Sequence, residues 1–193
     1  SCLPAMLIGL PLNDWLDKHF YNPTVVALML LLYGAGFLFV ERYNRSRKPR
    51  VNSIAALRWS DALLIGVFQV LALIPGTSRS GSTIIGGLLL GCTRSVASKF
   101  TFFLAIPVMF GASALKLVKY FIKGGTFGAN EVAILGVGCV VAFVVSLIAI
   151  KWLMGFVRRH DFKCFGVYRI ILGIVVLAYF FVLEPMLLSL IHI

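Results

Sequence analysis

Residues 69 to 83 read Gln-Val-Leu-Ala-Leu-Ile-Pro-Gly-Thr-Ser-Arg-Ser-Gly-Ser-Thr. They set five hydroxyls, on Thr77, Ser78, Ser80, Ser82 and Thr83, around one guanidinium, Arg79. Pro75-Gly76 breaks a helix, because proline lacks an amide donor and clashes with the preceding turn, while glycine permits a positive φ. An apolar helix is expected to restart after Gly81, so its unpaired amides and positive end face the same place as Arg79. Such a combination predicts an anion site, and most economically a phosphate site. The plainer alternative is a solvated hydroxyl-rich loop. Length counts against it: the apolar segments Asp61 to Ile74 and Ser82 to Gly91 are both too short for a bilayer that needs roughly 20 helical residues. Two half-length helices meeting at a polar break predict a re-entrant hairpin over about 61–92, with Arg79 near mid-membrane. Irregular backbone survives at that depth only where it lines a protein or water cavity.

Ser78 and Ser80 flank the arginine and are suited to donate to phosphoryl oxygens; without a neighbouring base, neither hydroxyl is a strong nucleophile. Gln69 is the amide side chain of the incoming half-helix, and either faces the cavity or bonds a neighbouring helix. A phosphatase also needs a group that activates water and one that neutralises developing charge. The seven acidic residues, Asp14, Asp17, Glu41, Asp61, Glu131, Asp161 and Glu184, all fall at segment ends or in loops. The three histidines, His19, His160 and His192, are likewise peripheral. By this reading the chain holds half a catalytic site.

The elements that must position the loop follow from composition. With 193 residues, 60% of them hydrophobic, and a mean hydropathy of +0.98, the chain is expected to be a single integral membrane domain over 1–193. The net charge of +11 gathers where hydrophobic runs end, so it reads as topology signal and headgroup contact. No basic stripe with interleaved aromatics suggests nucleic acid. Cys2, Cys92, Cys139 and Cys164 have neither metal-like spacing nor a paired framework and read as small packing residues. The start at Ser1, inside the apolar stretch from Cys2 to Leu12, suggests a truncated N-terminus.

In order, Cys2 to Leu10 reads as the end of a membrane helix, followed by an interfacial amphipathic piece from Asn13 to Tyr21. Thr24 to Val40 can span, with Gly34 and Gly36 allowing close helix approach. Glu41 to Arg50 carries five cations and reads as a cytoplasmic loop. Ser53 to Trp59 is an interfacial lead-in to the hairpin, which returns Arg94 and Lys99 to the basic face. Val96 to Leu117 crosses with a kink at Pro107, Gly124 to Asn130 turns, Glu131 to Leu153 crosses back, and Tyr168 to Leu183 is the last helix. Gly87 and Gly91 form a small-xxx-small pattern, read as close packing.

Gln69, Ala72 and the run Pro75-Gly76-Thr77-Ser78-Arg79-Ser80-Gly81, continuing through Ser82-Thr83-Ile84, closely resemble the second signature motif of the bacterial undecaprenyl-diphosphatase family, also called bacitracin-resistance proteins. Ala97-Ser98-Lys99-Phe100 to Pro107, and Tyr168-Arg169 at the opening of the last helix, are similar to the same family. The resemblance covers nearly the whole chain and would place it as the C-terminal two-thirds of such a protein. It implies an all-α polytopic enzyme of the bacterial plasma membrane, built from two inverted repeats that each contribute a re-entrant hairpin; this chain would hold one half. The activity implied is removal of the terminal phosphate of undecaprenyl diphosphate, regenerating the carrier for wall polymers. Arg79 would stabilise the transferred phosphoryl group and Ser78 would contact it, with Gly76, Thr77, Ser80, Gly81, Thr83 and Gln69 completing the phosphate site. The resemblance implies a divalent metal, Mg or Ca. The family's first motif, with two glutamates at i, i+4 and a Pro-x-Ser-Ser-x-Gly-His loop, does not occur in these residues, so no metal ligands are expected here and the chain alone is expected to be inactive. Undecaprenyl diphosphate and membrane lipid are the expected partners, and a homodimer is one candidate assembly. A transporter or flippase for lipid phosphate is the rival reading, since paired half-helices around a midplane site are also transporter anatomy.

Overall fold

The computed structural model describes residues 1–124, 128–159 and 161–183. His160, Glu184, Pro185, His192, the tail and the centre of the Gly124 to Asn130 loop lie outside them. The described residues form seven α-helices: α1 Cys2–Phe20, α2 Pro23–Asn44, α3 Trp59–Val70, α4 Arg79–Leu89, α5 Arg94–Ile122, α6 Ala129–Arg159 and α7 Lys163–Ala178. Short 3-10 turns at Ile54–Ala56 and Leu71–Leu73 flank α3, and one π-helical turn, Tyr179–Leu183, extends α7. Stretches of α2, α5, α6 and α7 are long and apolar enough to cross a membrane; the apolar helix Trp59–Leu73 is not long enough. The protein is an all-α polytopic membrane protein.

Helix starts follow their caps. The Asn22 side chain accepts from the Val25 amide ahead of Pro23, Thr93 accepts from Val96, and Ser78 accepts from Gly81. Helices α2 and α7 pack through glycines: a Cβ on Gly34 would fall 2.8 Å from the Gly166 carbonyl oxygen, one on Gly166 2.9 Å from that of Gly34, and one on Gly173 3.1 Å from that of Ala27. Small residues at this crossing let the two backbones touch. The short helices α3 and α4 pack as a hairpin, with Gly86 giving way to the Phe68 ring. Its base is tied to the basic loop, where the amides of Arg50 and Val51 donate to the Gly91 carbonyl and that of Thr93 donates to Val51.

Several expectations change. Helix α1 runs unbroken through Pro11, so the amphipathic piece continues the first helix; proline removes one ladder bond and bends the axis without ending it. Helix α7 begins at Lys163, so Tyr168 and Arg169 lie inside it rather than opening it. Gly91 lies beyond α4 at φ +83°, turning the chain toward α5, so Gly87 and Gly91 share no helix face. Gly87 alone packs closely, 3.1 Å from the Ala97 Cβ by the same construction. Glu41 lies in the last turn of α2, where its side chain is buried, not in the loop.

Candidate active site

Between α3 and α4 the chain passes through the Leu71–Leu73 turn and reverses at Pro75-Gly76. Gly76 has φ +87°, and a Cβ there would lie 2.6 Å from Val26 Cα and oxygen, so the turn seats glycine for both conformation and space. The Thr77 hydroxyl is turned back onto the carbonyls of Leu71 and Ile74. Both carbonyls also accept a backbone amide, from Ile74 and Thr77 respectively, so the hydroxyl reinforces the turn.

Helix α4 then starts at Arg79, capped by Ser78, whose Oγ accepts from the Gly81 amide at 3.1 Å and lies 3.0 Å from Ser80 Oγ. Arg79 is thus the first residue of α4, at its positive dipole end. Ser82 and Thr83, further along α4, are buried. Ser82 donates to the Tyr33 hydroxyl at 2.9 Å, and the Thr83 hydroxyl lies 2.9 Å from that of Thr101 and near the Arg79 and Ser80 carbonyls.

The loop opens into a cavity of about 330 Å³ to which every helix except α1 contributes. Its polar lining is Gln69 of α3; Ser78, Arg79, Ser80 and Thr83; Ser98 and Thr101 of α5; and Arg169 of α7. Phe102, Ala105, Leu153, Val157 and Phe165 give it apolar walls. Of the residues expected from the sequence, Gln69, Ser78, Arg79, Ser80, Gly81 and Thr83 meet here. Gly76 and Thr77 stand behind the loop and shape it. Thr83 is 1% exposed with its hydroxyl engaged inside the fold, so its part is to fix α4 against α5.

Arg169 is the residue the sequence reading placed at a helix start and not in the site. Its Nη2 donates to the Gly76 carbonyl at 2.9 Å, and its guanidinium lies 5.7 Å from the centre of the Tyr33 ring. Gly81 makes room for it, since a Cβ there would fall 2.9 Å from Nη1. Ser98 was likewise named only within a stretch of resemblance. The start of α7, the helix that carries Arg169, is held by Glu41. That carboxylate accepts from Arg94 Nε at 2.9 Å and Nη2 at 2.6 Å, and from the Phe162 amide at 3.1 Å, joining α2, α5 and the start of α7.

The cavity holds two guanidiniums and no carboxylate, and among the described residues no group of three histidine, cysteine or acidic side chains could hold a metal ion. Its donors therefore suit an oxyanion and do not fit a divalent cation.

Residues 1–175 match the family model described as bacitracin resistance protein BacA. The chain is 52% identical over 180 residues to a protein of Limosilactobacillus fermentum and 52% identical over 179 residues to one of Enterococcus faecalis. It is 56% identical over 181 residues to one of Desulfitobacterium hafniense. All three are named undecaprenyl-diphosphatase; each comparison covers 93% of this chain and 65%, 65% and 64% of the relative, respectively. The chain thus spans a little under two thirds of the length of these relatives, and it belongs to the bacitracin resistance protein BacA family.

Proposed function

We propose that the protein is the phosphate-binding part of an undecaprenyl-diphosphate phosphatase of the bacterial plasma membrane. The observation that carries this reading is Arg79 at the capped, positive end of α4, inside a cavity lined by hydroxyls and a second arginine and by no acid. The α3–α4 hairpin, too short to span, enters the membrane and returns, which places the loop where the head of a lipid diphosphate can reach it. In the reaction, the oxygen of water bonds to the terminal phosphorus, the bond from that phosphorus to the bridging oxygen breaks, and one water proton leaves to solvent. The products are undecaprenyl phosphate and inorganic phosphate. Arg79, at the positive end of α4, holds the equatorial oxygens as charge builds on them, the main task in phosphoryl transfer. Ser78, by capping the Gly81 amide, fixes the first turn that carries Arg79. No cavity residue is a candidate base, and a divalent cation, implied by resemblance alone, finds no ligand set here.

The test is a graft. This chain replaces its 179-residue counterpart in the Enterococcus faecalis relative, and phosphate release from undecaprenyl diphosphate is measured. Release by the graft and its loss on Arg79→Ala are expected; turnover near that of the unsubstituted graft in the alanine variant would overturn the reading.

A further inference from the structure

Three buried polar atoms have no hydrogen-bond partner among the described residues: Gln69 Oε1, Ser98 Oγ and Arg169 Nε. They come from three different helices, yet all three residues line the one cavity that holds Arg79. Gln69 and Ser98 are each only 3% exposed. Folded proteins pair their buried polar groups, and each orphan costs free energy comparable to a lost hydrogen bond. A chance orphan is ordinary. Three on residues that line one void with Arg79 form a polar surface made for something other than the fold.

The chemistry of the three selects the ligand. Arg169 is anchored by one Nη2 bond to the Gly76 carbonyl, and its buried Nε–H has no partner among the described residues. Ser98 adds a hydroxyl donor, and the Gln69 carboxamide, whose unpartnered atom is the acceptor Oε1, offers its NH₂ donor only after half a rotation about its last torsion. These are a guanidinium and two neutral donors, with no acid among them: the recognition set for a phosphoryl group. Arg79, at the positive end of α4, already marks one such site.

From these observations we infer that Gln69, Ser98 and Arg169 form a second phosphoryl subsite, so that the cavity grips both phosphoryl groups of a diphosphate and discriminates against monophosphates. The inference rests on the reading of Arg79 as the first phosphoryl site. A cavity of about 330 Å³ lies at the small end of the range for ligand sites, about 300–1,000 Å³. It suits the diphosphate head and leaves a prenyl tail outside, along the exposed apolar helices. It also gives the product a route out: once the terminal group is cut, the remaining monophosphate fills only one subsite and binds less tightly.

The experiment compares two probes, a short-chain prenyl diphosphate and the matching prenyl monophosphate, binding to the purified chain in detergent by calorimetry, alongside thermal stability. Wild type is expected to prefer the diphosphate. Ser98→Ala and Arg169→Gln are expected to weaken the diphosphate about tenfold, from loss of a bond to a charged group, and to leave the monophosphate within about twofold, so the preference collapses. Because Ser98 Oγ and Gln69 Oε1 bond nothing in the fold, Ser98→Ala and Gln69→Leu are expected to melt no lower than wild type. Ser98→Ala therefore keeps the test alive should Arg169→Gln, which loses the Gly76 contact, fail to fold. An unchanged preference in Ser98→Ala, or equal weakening of both probes, would overturn the second subsite. Arg79→Ala separates the two claims: unaltered binding of both probes there would overturn the first site instead.

Discussion

The Arg169 guanidinium of α7 donates to the Gly76 carbonyl at 2.9 Å, joining residues 93 positions apart in the chain. This bond fastens the loop between α3 and α4 to the last helix. The turn that presents Arg79 is thereby set by a residue that the α2–α7 glycine contacts hold in place.

Gly76 is expected to be among the least replaceable residues of the loop. Its φ of +87° and the 2.6 Å approach to Val26 oppose any side chain. Gly76→Ala should lower stability by about 2 kcal/mol or more, from the left-handed backbone alone. Gly111→Ala serves as the control: a Cβ there meets nothing within 4 Å, and alanine in a helix should leave stability equal or higher. Thermal unfolding in detergent checks both, and a Gly76→Ala melting point equal to wild type would contradict the account of the turn.

The Glu41–Arg94 pair should behave as a buried ion pair. The Glu41 side chain is 3% exposed, and Arg94, at 41%, shields it and also meets Asp161 at 2.6 Å. Arg94→Met leaves the buried carboxylate with only the Phe162 amide, a loss on the order of 2 kcal/mol for hydrogen bonds to a charged group. Adding Glu41→Met should recover part of that loss, because two apolar groups leave no stranded charge. A double variant less stable than Arg94→Met would refute this.

Asp61 gives a pH signature. Burial pushes its carboxyl up, but the 2.6 Å bond from Arg50, the Arg58 amide and the two nearby guanidinium charges more than offset this, so it lies below the ordinary value of 3.8. A carboxylate depressed in the folded state contributes stability above its unfolded pKa and loses it as pH falls through the folded value. Melting curves of wild type and Asp61→Asn should therefore differ above about pH 4 and converge in more acidic buffer. A gap that widens with acid would reverse the sign.

Cys92 should resist alkylation. It is 4% exposed, and burial together with the Asp61 charge pushes its thiol up to about 11. Since the thiolate is the nucleophile, Cys164, exposed at the start of α7, should label in detergent at about pH 8 well before Cys92. Mass spectrometry of the modified peptides decides the order.

Local chemistry made much of this legible. Pro75-Gly76 marks the break, Ser78 before Arg79 is a cap signal, and the short apolar flanks on either side announce a hairpin. The acceptors of the fold were harder to read. Glu41 opens a run of cations and looks like loop, yet its partners Arg94 and Phe162 are far along the chain. Arg169 was misplaced because the apolar run reads as starting at Tyr168, whereas the helix begins at Lys163; Gly34 reads as a close-approach residue, but its partner Gly166 emerges only in the structure. Ser98 sits within a helix where a serine is unremarkable, and only three-dimensional proximity to Gln69 and Arg169 singles it out.

The central claim, that Arg79 at the end of α4 holds a phosphoryl group, is tested most directly by ³¹P titration of inorganic phosphate into the purified chain and its Arg79→Ala and Arg79→Lys variants. Saturable binding by wild type is predicted, weakened about tenfold or more in Arg79→Ala and only partly restored in Arg79→Lys, which keeps the charge but loses the two-pronged fork. Equal affinity in wild type and Arg79→Ala would contradict the account.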